Sequence, residues 1–179
     1  MPSVFSHAAA ATAISIALAP KETPGRFWPI AIATAVLPDA DTALFYLRIP
    51  YSSVFGHRGF FHSPFLGLLV SLGLMLVFFR DLETFSPRWF VYFLLLWLVW
   101  TSHGLLDALT NGGRGVAFFS PFSSKRFFFP WTPIQVAPIR IKSFFTSWGL
   151  SVFKSELLWI WTPGLVLVLL SRLIRSKIR

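Results

Sequence analysis

Two runs of the chain, Phe60 to Phe79 and Trp89 to Leu109, are each about as long as a bilayer-crossing helix, and between them hold one Asp, Glu, Lys or Arg side chain, Asp107. Helices that are apolar on every side bury themselves in a large core or in lipid. Three more apolar stretches can be read, Val4 to Ala19, Phe27 to Leu47 and Leu157 to Ile174. The chain has 179 residues, 55% apolar and only 13% charged. A soluble domain carries about a quarter charged residues, so the apolar excess here must face lipid. The expected fold is all-α, a polytopic membrane helical bundle of four to five transmembrane helices forming a single domain over residues 1–179.

Details of the runs refine this expectation. Pro38, in Pro38-Asp39-Ala40-Asp41, should kink or end the second helix and leave its last part a separate short helix. Ala17-Leu18-Ala19 has the look of a signal-peptide cleavage site, but no positive charge precedes the apolar run and Pro20 follows directly, so the first helix is expected to be retained. Residues 111–156, with Pro121, Pro130, Pro133, Pro138 and many aromatics, are too broken to span; an interfacial or re-entrant segment is expected there. The last helix is expected over 157–174.

The net charge of +9 does not point to nucleic acid. The basic residues sit between and after apolar runs, where they meet lipid headgroups. The tail, with Arg172, Arg175, Lys177 and Arg179, favours a cytoplasmic C-terminus. There is no cysteine. That excludes disulfides, thiolate catalysis and Cys-type zinc sites, so any metal site must use His nitrogen and carboxylate oxygen.

All four histidines lie at helix ends. His7 is near the start of the first helix, Asp39 and Asp41 in the latter part of the second, His57 and His62 around the start of the third, and His103 and Asp107 at the end of the fourth. In an up-and-down bundle these ends share one side. Seven metal-capable side chains from four segments should therefore meet at one face. His103 and Asp107, four apart, project from one helix face. Each residue alone has a plainer reading: His7 as an interfacial amphipath, Asp39 or Asp41 as a helix cap, Asp107 in an ion pair with Arg58 or Arg114. Ionisable groups in apolar segments are costly, however, and mark function by default. Arg58 could clamp a phosphate or an oxyanion, or snorkel to headgroups. Ser63 and Thr110 could support the ligands or simply bond helix carbonyls.

These residues resemble the membrane-bound metal-dependent hydrolases of the inner-membrane putative hydrolase family, a family also labelled as a domain of unknown function (DUF457). The family pattern is an early His, then Pro-Asp-x-Asp, His-Arg-Gly-x-Thr-His-Ser and His-x-x-x-Asp-x-x-Thr. It is matched by His7, by Pro38 to Asp41, by His57-Arg58-Gly59-Phe60-Phe61-His62-Ser63, and by His103 through Asp107 to Thr110. Ser120-Pro121-Phe122-Ser123 is similar to its Pro-Phe-Ser segment, so the resemblance covers roughly residues 1–130. Phe61 departs from the usual Thr. More distantly, the order of ligands resembles the zinc phospholipase C and S1/P1 nuclease group. That group's later His and Glu ligands have no counterpart after Asp107, which argues for one or two ions rather than three.

The resemblance implies a prokaryotic inner-membrane hydrolase. The expected metal ligands are His7, Asp39, Asp41, His57, His62, His103 and Asp107, with Asp41 bridging or supporting. Zinc fits this donor set, with manganese or iron as alternatives. Asp41 or Asp107 would accept a proton and Arg58 would stabilise phosphoryl charge. A site at headgroup depth suggests a phospholipid or lipid-linked phosphoester. The rival readings are a metal or proton transporter, a non-catalytic metal-binding membrane protein, and a haem bundle.

Overall fold

A computed structural model describes residues 1–138 and 141–177. The chain forms α1 (Val4–Leu18), α2 (Phe27–Val36), a 3-10 segment (Leu37–Phe45), a 3-10 turn (Phe60–His62), α3 (Pro64–Phe78), α4 (Pro87–Ala108), a second 3-10 segment (Ile141–Phe145), α5 (Ser147–Glu156) and α6 (Thr162–Lys177). Among the described residues there is no strand, only two isolated bridges, Thr110 with Ile134 and Val116 with Phe127.

Helix starts follow from local chemistry. Ser63 and Ser86 cap α3 and α4, each accepting a hydrogen bond from an amide three residues on, and each is followed by a proline in the first helical position. Ser3 caps α1 in the same way, accepting from Ser6. α2 stops being α-helical at Val36, where Pro38 can no longer donate to the ladder. The tighter 3-10 segment that follows carries Asp39 and Asp41, as the proline led one to expect.

α4 is the central post, packing against α1, α2 and α3. Its Tyr92, Leu96, Val99 and Trp100 are buried, and Tyr92 and Leu96 join Phe27, Met75 and Phe79 in one core cluster. Trp100 Nε1 donates to the carbonyl of Ser63 at 3.1 Å. Gly67 of α3 lies against the same indole: a Cβ there would sit 2.5 Å from Trp100 Cδ1. Absence of a side chain at Gly67 therefore sets how closely α3 approaches α4.

Two helices are long and apolar enough to cross a membrane, Pro87–Ala108 with 22 residues and the continuous Ser147–Lys177 with 31. α1 and α3 have 15 residues each. At 1.5 Å per residue such a helix rises about 22 Å, short of the roughly 30 Å of hydrocarbon in a bilayer. Their apolar stretches are longer than the helices because their ends are spent on turns such as Phe60–His62.

The last helix begins ten residues earlier than the apolar run suggested. α5 continues through a π-helical turn, Leu157–Trp161, into α6. Glu156 and Lys154 end the apolar run in the sequence, but Glu156 is buried and hydrogen-bonded, so it does not end the helix. α6 has no buried residue; Leu165, Leu169, Leu170 and Leu173 all face outward. Residues 109–138 fold over the end of α4. Phe129 and Ile134 donate backbone hydrogen bonds to the carbonyls of Ala108 and Leu109, which the helix leaves unpaired.

α1 and the last helix run parallel. Ser3 and Ser6 meet Glu156 at one end, and Arg175 donates to the carbonyls of Ala17 (2.8 Å) and Ala19 (2.9 Å) at the other. At the bundle end bearing the Arg175 contact, exposed Asp81 is held below the ordinary carboxylate range by a hydrogen bond from Arg26.

Candidate metal centre

All seven predicted residues gather at the other end of the bundle. Four of them face a common point. His62 Nε2 lies 3.6 Å from Asp39 Oδ1 and 3.4 Å from Asp107 Oδ2. His103 Nε2 lies 3.4 Å from Asp39 Oδ1 and 4.0 Å from Asp107 Oδ2. One donor atom from each of these four residues lies within 4.8 Å of the others. His7 adjoins them, with Nε2 3.5 Å from Asp107 Oδ1 and its ring stacked on His103.

Such separations are long for hydrogen bonds and natural for ligands. Four donors about 2.0–2.2 Å from a tetrahedral zinc stand roughly 3.3–3.6 Å apart. His62 Nε2, His103 Nε2 and both carboxylate oxygens of Asp39 and of Asp107 are buried without a hydrogen-bond partner. Buried polar atoms are nearly always satisfied, so a convergent unsatisfied set calls for a bound ion. Charge agrees: Asp39, Asp41 and Asp107 bring three negative charges and Arg58 one positive, which leaves two that a divalent cation would cancel. The residues present thus fit a dication with His and carboxylate donors.

Asp41 and His57 sit one layer out. Asp41 Oδ2 lies 3.2 Å from His62 Nδ1, and Asp41 Oδ1 2.6 Å from His57 Nδ1. Asp41 thus faces the side of His62 opposite the four-donor cluster, the place of a carboxylate that fixes a ligand's ring. Asp41, His57 and His62 form a second group of close donors. The ring of His103 is fixed differently, by Nδ1 on the carbonyl of Ala35 at 2.7 Å.

Arg58 is 1% exposed and held on all sides. Its Nε lies 3.0 Å from Asp107 Oδ2, Nη1 donates to the carbonyl of Gly112 at 2.8 Å, and Nη2 to Thr110 Oγ1 at 3.0 Å. Its backbone takes a left-handed φ of +61°, and its amide donates to Asp41. A non-glycine residue there costs of order 1 kcal/mol or more, a strain kept by the surrounding bonds. Arg58 therefore pairs first with Asp107. Thr110 supports it, whereas Ser63 serves as a helix cap. Gly59 is required by close approach: a Cβ would lie 2.2 Å from the carbonyl oxygen of Val54.

Beside this centre opens a pocket of about 500 Å³ whose lining includes Tyr51, His57, Arg58, Val136 and Trp148. The guanidinium groups of Arg114 and Arg126 lie over the Tyr51 ring. Arg126 donates to the carbonyls of Tyr51 and His57, and its burial pulls its pKa below the ordinary value.

Sequence reasoning did not single out Glu156 or Trp161, which act on the first turn of α1. The one available signal was an acid directly preceding an apolar run.

Comparison with known proteins agrees with the motif. A family profile described as YdjM inner membrane protein matches residues 1–178. The chain is 42% identical over 173 residues to Inner membrane protein YbcI of Escherichia coli K12, covering 94% of this chain and 95% of that one. It is 34% identical over 123 residues to Inner membrane protein YdjM of Escherichia coli K12 and of Shigella flexneri, covering 62% of this chain and 59% of theirs. No solved structure matches.

Proposed function

The chain belongs to the YdjM inner membrane protein family, and we propose that it is a membrane-bound metal-dependent hydrolase acting on a phospholipid or lipid-linked phosphoester. In this reading α1, α2 and α3 join the two long helices in a bundle of four to five crossings. Asp39, His62, His103 and Asp107 hold one divalent ion, with His7 as the adjoining donor. Zinc suits this set best. The observation that carries the proposal is the convergence of buried, unpartnered donor atoms at ligand-like spacing.

A bound ion would supply Lewis acidity and water activated near neutral pH. The chain's own residues do the rest. Asp41 holds the ring of His62. Arg58 fixes Asp107 and borders the pocket in which a phosphoryl oxygen would sit. Asp107 Oδ1, which the guanidinium does not occupy, can accept a proton. Tyr51 and Trp148 offer flat apolar walls to the rest of a lipid substrate.

Elemental analysis of the purified protein beside a His103→Ala, Asp107→Ala double variant tests the metal. About one transition-metal ion per chain in the wild type and none in the variant is the expected result. Hydrolysis of a phosphoester panel in zinc or manganese then tests the chemistry, and inactivity across the panel would remove the hydrolase reading. A second reading, a non-catalytic or transport site, draws on the burial of every donor oxygen, since catalytic sites keep an open position. Metal-dependent flux into liposomes would favour it.

A further inference from the structure

Of the three clustered histidines, two have a protein group on the ring nitrogen facing away from the centre. His62 has Asp41 and His103 has the Ala35 carbonyl. His7 has none: its Nε2 faces Asp107 Oδ1 at 3.5 Å, and its buried Nδ1 has no hydrogen-bond partner and no carboxylate beside it. Beyond Asp107, its orientation comes from its backbone and from stacking on His103.

That backbone is held from far away in sequence. The carboxylate of Glu156 accepts hydrogen bonds from the Ser3 amide, from Ser3 Oγ at 2.6 Å and from Ser6 Oγ at 2.7 Å. Trp161 Nε1 donates to the same Ser6 Oγ at 2.8 Å. The His7 amide itself bonds the Ser3 carbonyl at 3.2 Å. Glu156 is 3% exposed, on the inward side of the last helix with Val152 and Ile160.

The π-helical turn Leu157–Trp161 is what lets two residues of one helix reach Ser6. In an α-helix, residues five apart point about 140° away from each other. The wider π turn, bonded i to i+5, closes that angle, and such turns recur at functional sites.

We propose that Glu156 is a positioning residue for the metal centre, acting through the first turn of α1 to hold the His7 imidazole as a donor. It does for His7 what Asp41 does for His62, by fixing the main chain rather than the ring. The inference rests on the metal reading above. It makes the last helix, which lies beyond the motif-bearing residues, a part of the site.

The test is cobalt titration of the purified full chain in detergent, reading affinity and the visible ligand-field bands. Glu156→Ala is expected to weaken cobalt about tenfold, the scale of losing a ligand's supporting partner. Glu156→Gln, which keeps an acceptor oxygen and the side-chain volume, should retain intermediate affinity. In a His7→Ala background, Glu156→Ala should have no further effect on affinity, and its bands should match those of His7→Ala alone. A loss of equal size in both backgrounds overturns the inference, as does wild-type affinity in folded Glu156→Ala protein. If Glu156→Ala does not fold, Glu156→Gln carries the same cycle. A wild type that takes up no cobalt overturns the metal reading, and with it this one.

Discussion

The imidazoles of His7 and His103 lie face to face, 3.7 Å between centroids and 15° from parallel. Two imidazolium rings would repel strongly at that distance, whereas two neutral rings serving as ligands would not. Metal binding should therefore compete with protons. Ligand histidines must be neutral, so affinity is expected to rise with pH and to fall as pH drops. Metal titrations across pH 5–8 check this; a flat profile would argue against histidine ligation.

Asp41 touches two histidines and points away from the donor cluster. Asp41→Asn should keep about one metal site per chain but weaken it roughly 10–100-fold, because Nδ1 of His62 loses its anionic partner. Asp39→Asn or Asp107→Asn should instead abolish tight binding. Equilibrium dialysis against buffered zinc separates the two outcomes.

Arg58 is the buried countercharge of Asp107. Removing one partner of such a pair leaves the other charge stranded, at a cost of about 3–5 kcal/mol. Arg58→Ala should lower thermal stability in detergent accordingly. Arg58→Lys should not restore it, since an ammonium cannot reach Asp107, Thr110 and Gly112 together in the guanidinium's fork geometry.

Gly67 sets the spacing of α3 and α4 at the Trp100 indole. Trp100 is 1% exposed and cannot swing aside cheaply. Gly67→Ala should destabilise by about 1–3 kcal/mol through overpacking, read as a lowered melting temperature. The metal stoichiometry of the folded fraction should not change.

The basic end of the last helix, Arg172, Arg175 and Lys177, favours the cytoplasm. The candidate metal centre lies at the opposite end of α1 from the Arg175 contacts. A fluorescent protein fused to the C-terminus should therefore glow, while an alkaline phosphatase fusion there should stay inactive. The opposite pattern would turn the centre towards the cytoplasm.

The centre was legible because ionisable residues are rare in apolar runs, and helix direction alone sorts their ends into faces. His7, Asp39, His62, His103 and Asp107 meet for that reason. The division of labour among them was not legible. Asp41 and Asp39 are two apart on a 3-10 segment, and only the fold decides which faces the centre and which backs His62. Nor was the true start of the last helix legible. An acid such as Glu156 reads as the edge of an apolar run until its partners, Ser3 and Ser6, are seen 153 and 150 positions away.

Those clasps between the first helix and the last also order events in the making of the protein. α1 is synthesised first, and its opening turn stays unclasped until Glu156 emerges from the ribosome. His7, directly after Ser6, waits with it. A chain interrupted between Asp107 and the last helix would carry every proposed ligand and still leave α1 unclasped, so on the role proposed for Glu156 uptake of an ion would be a late step that reports on completed translation and insertion.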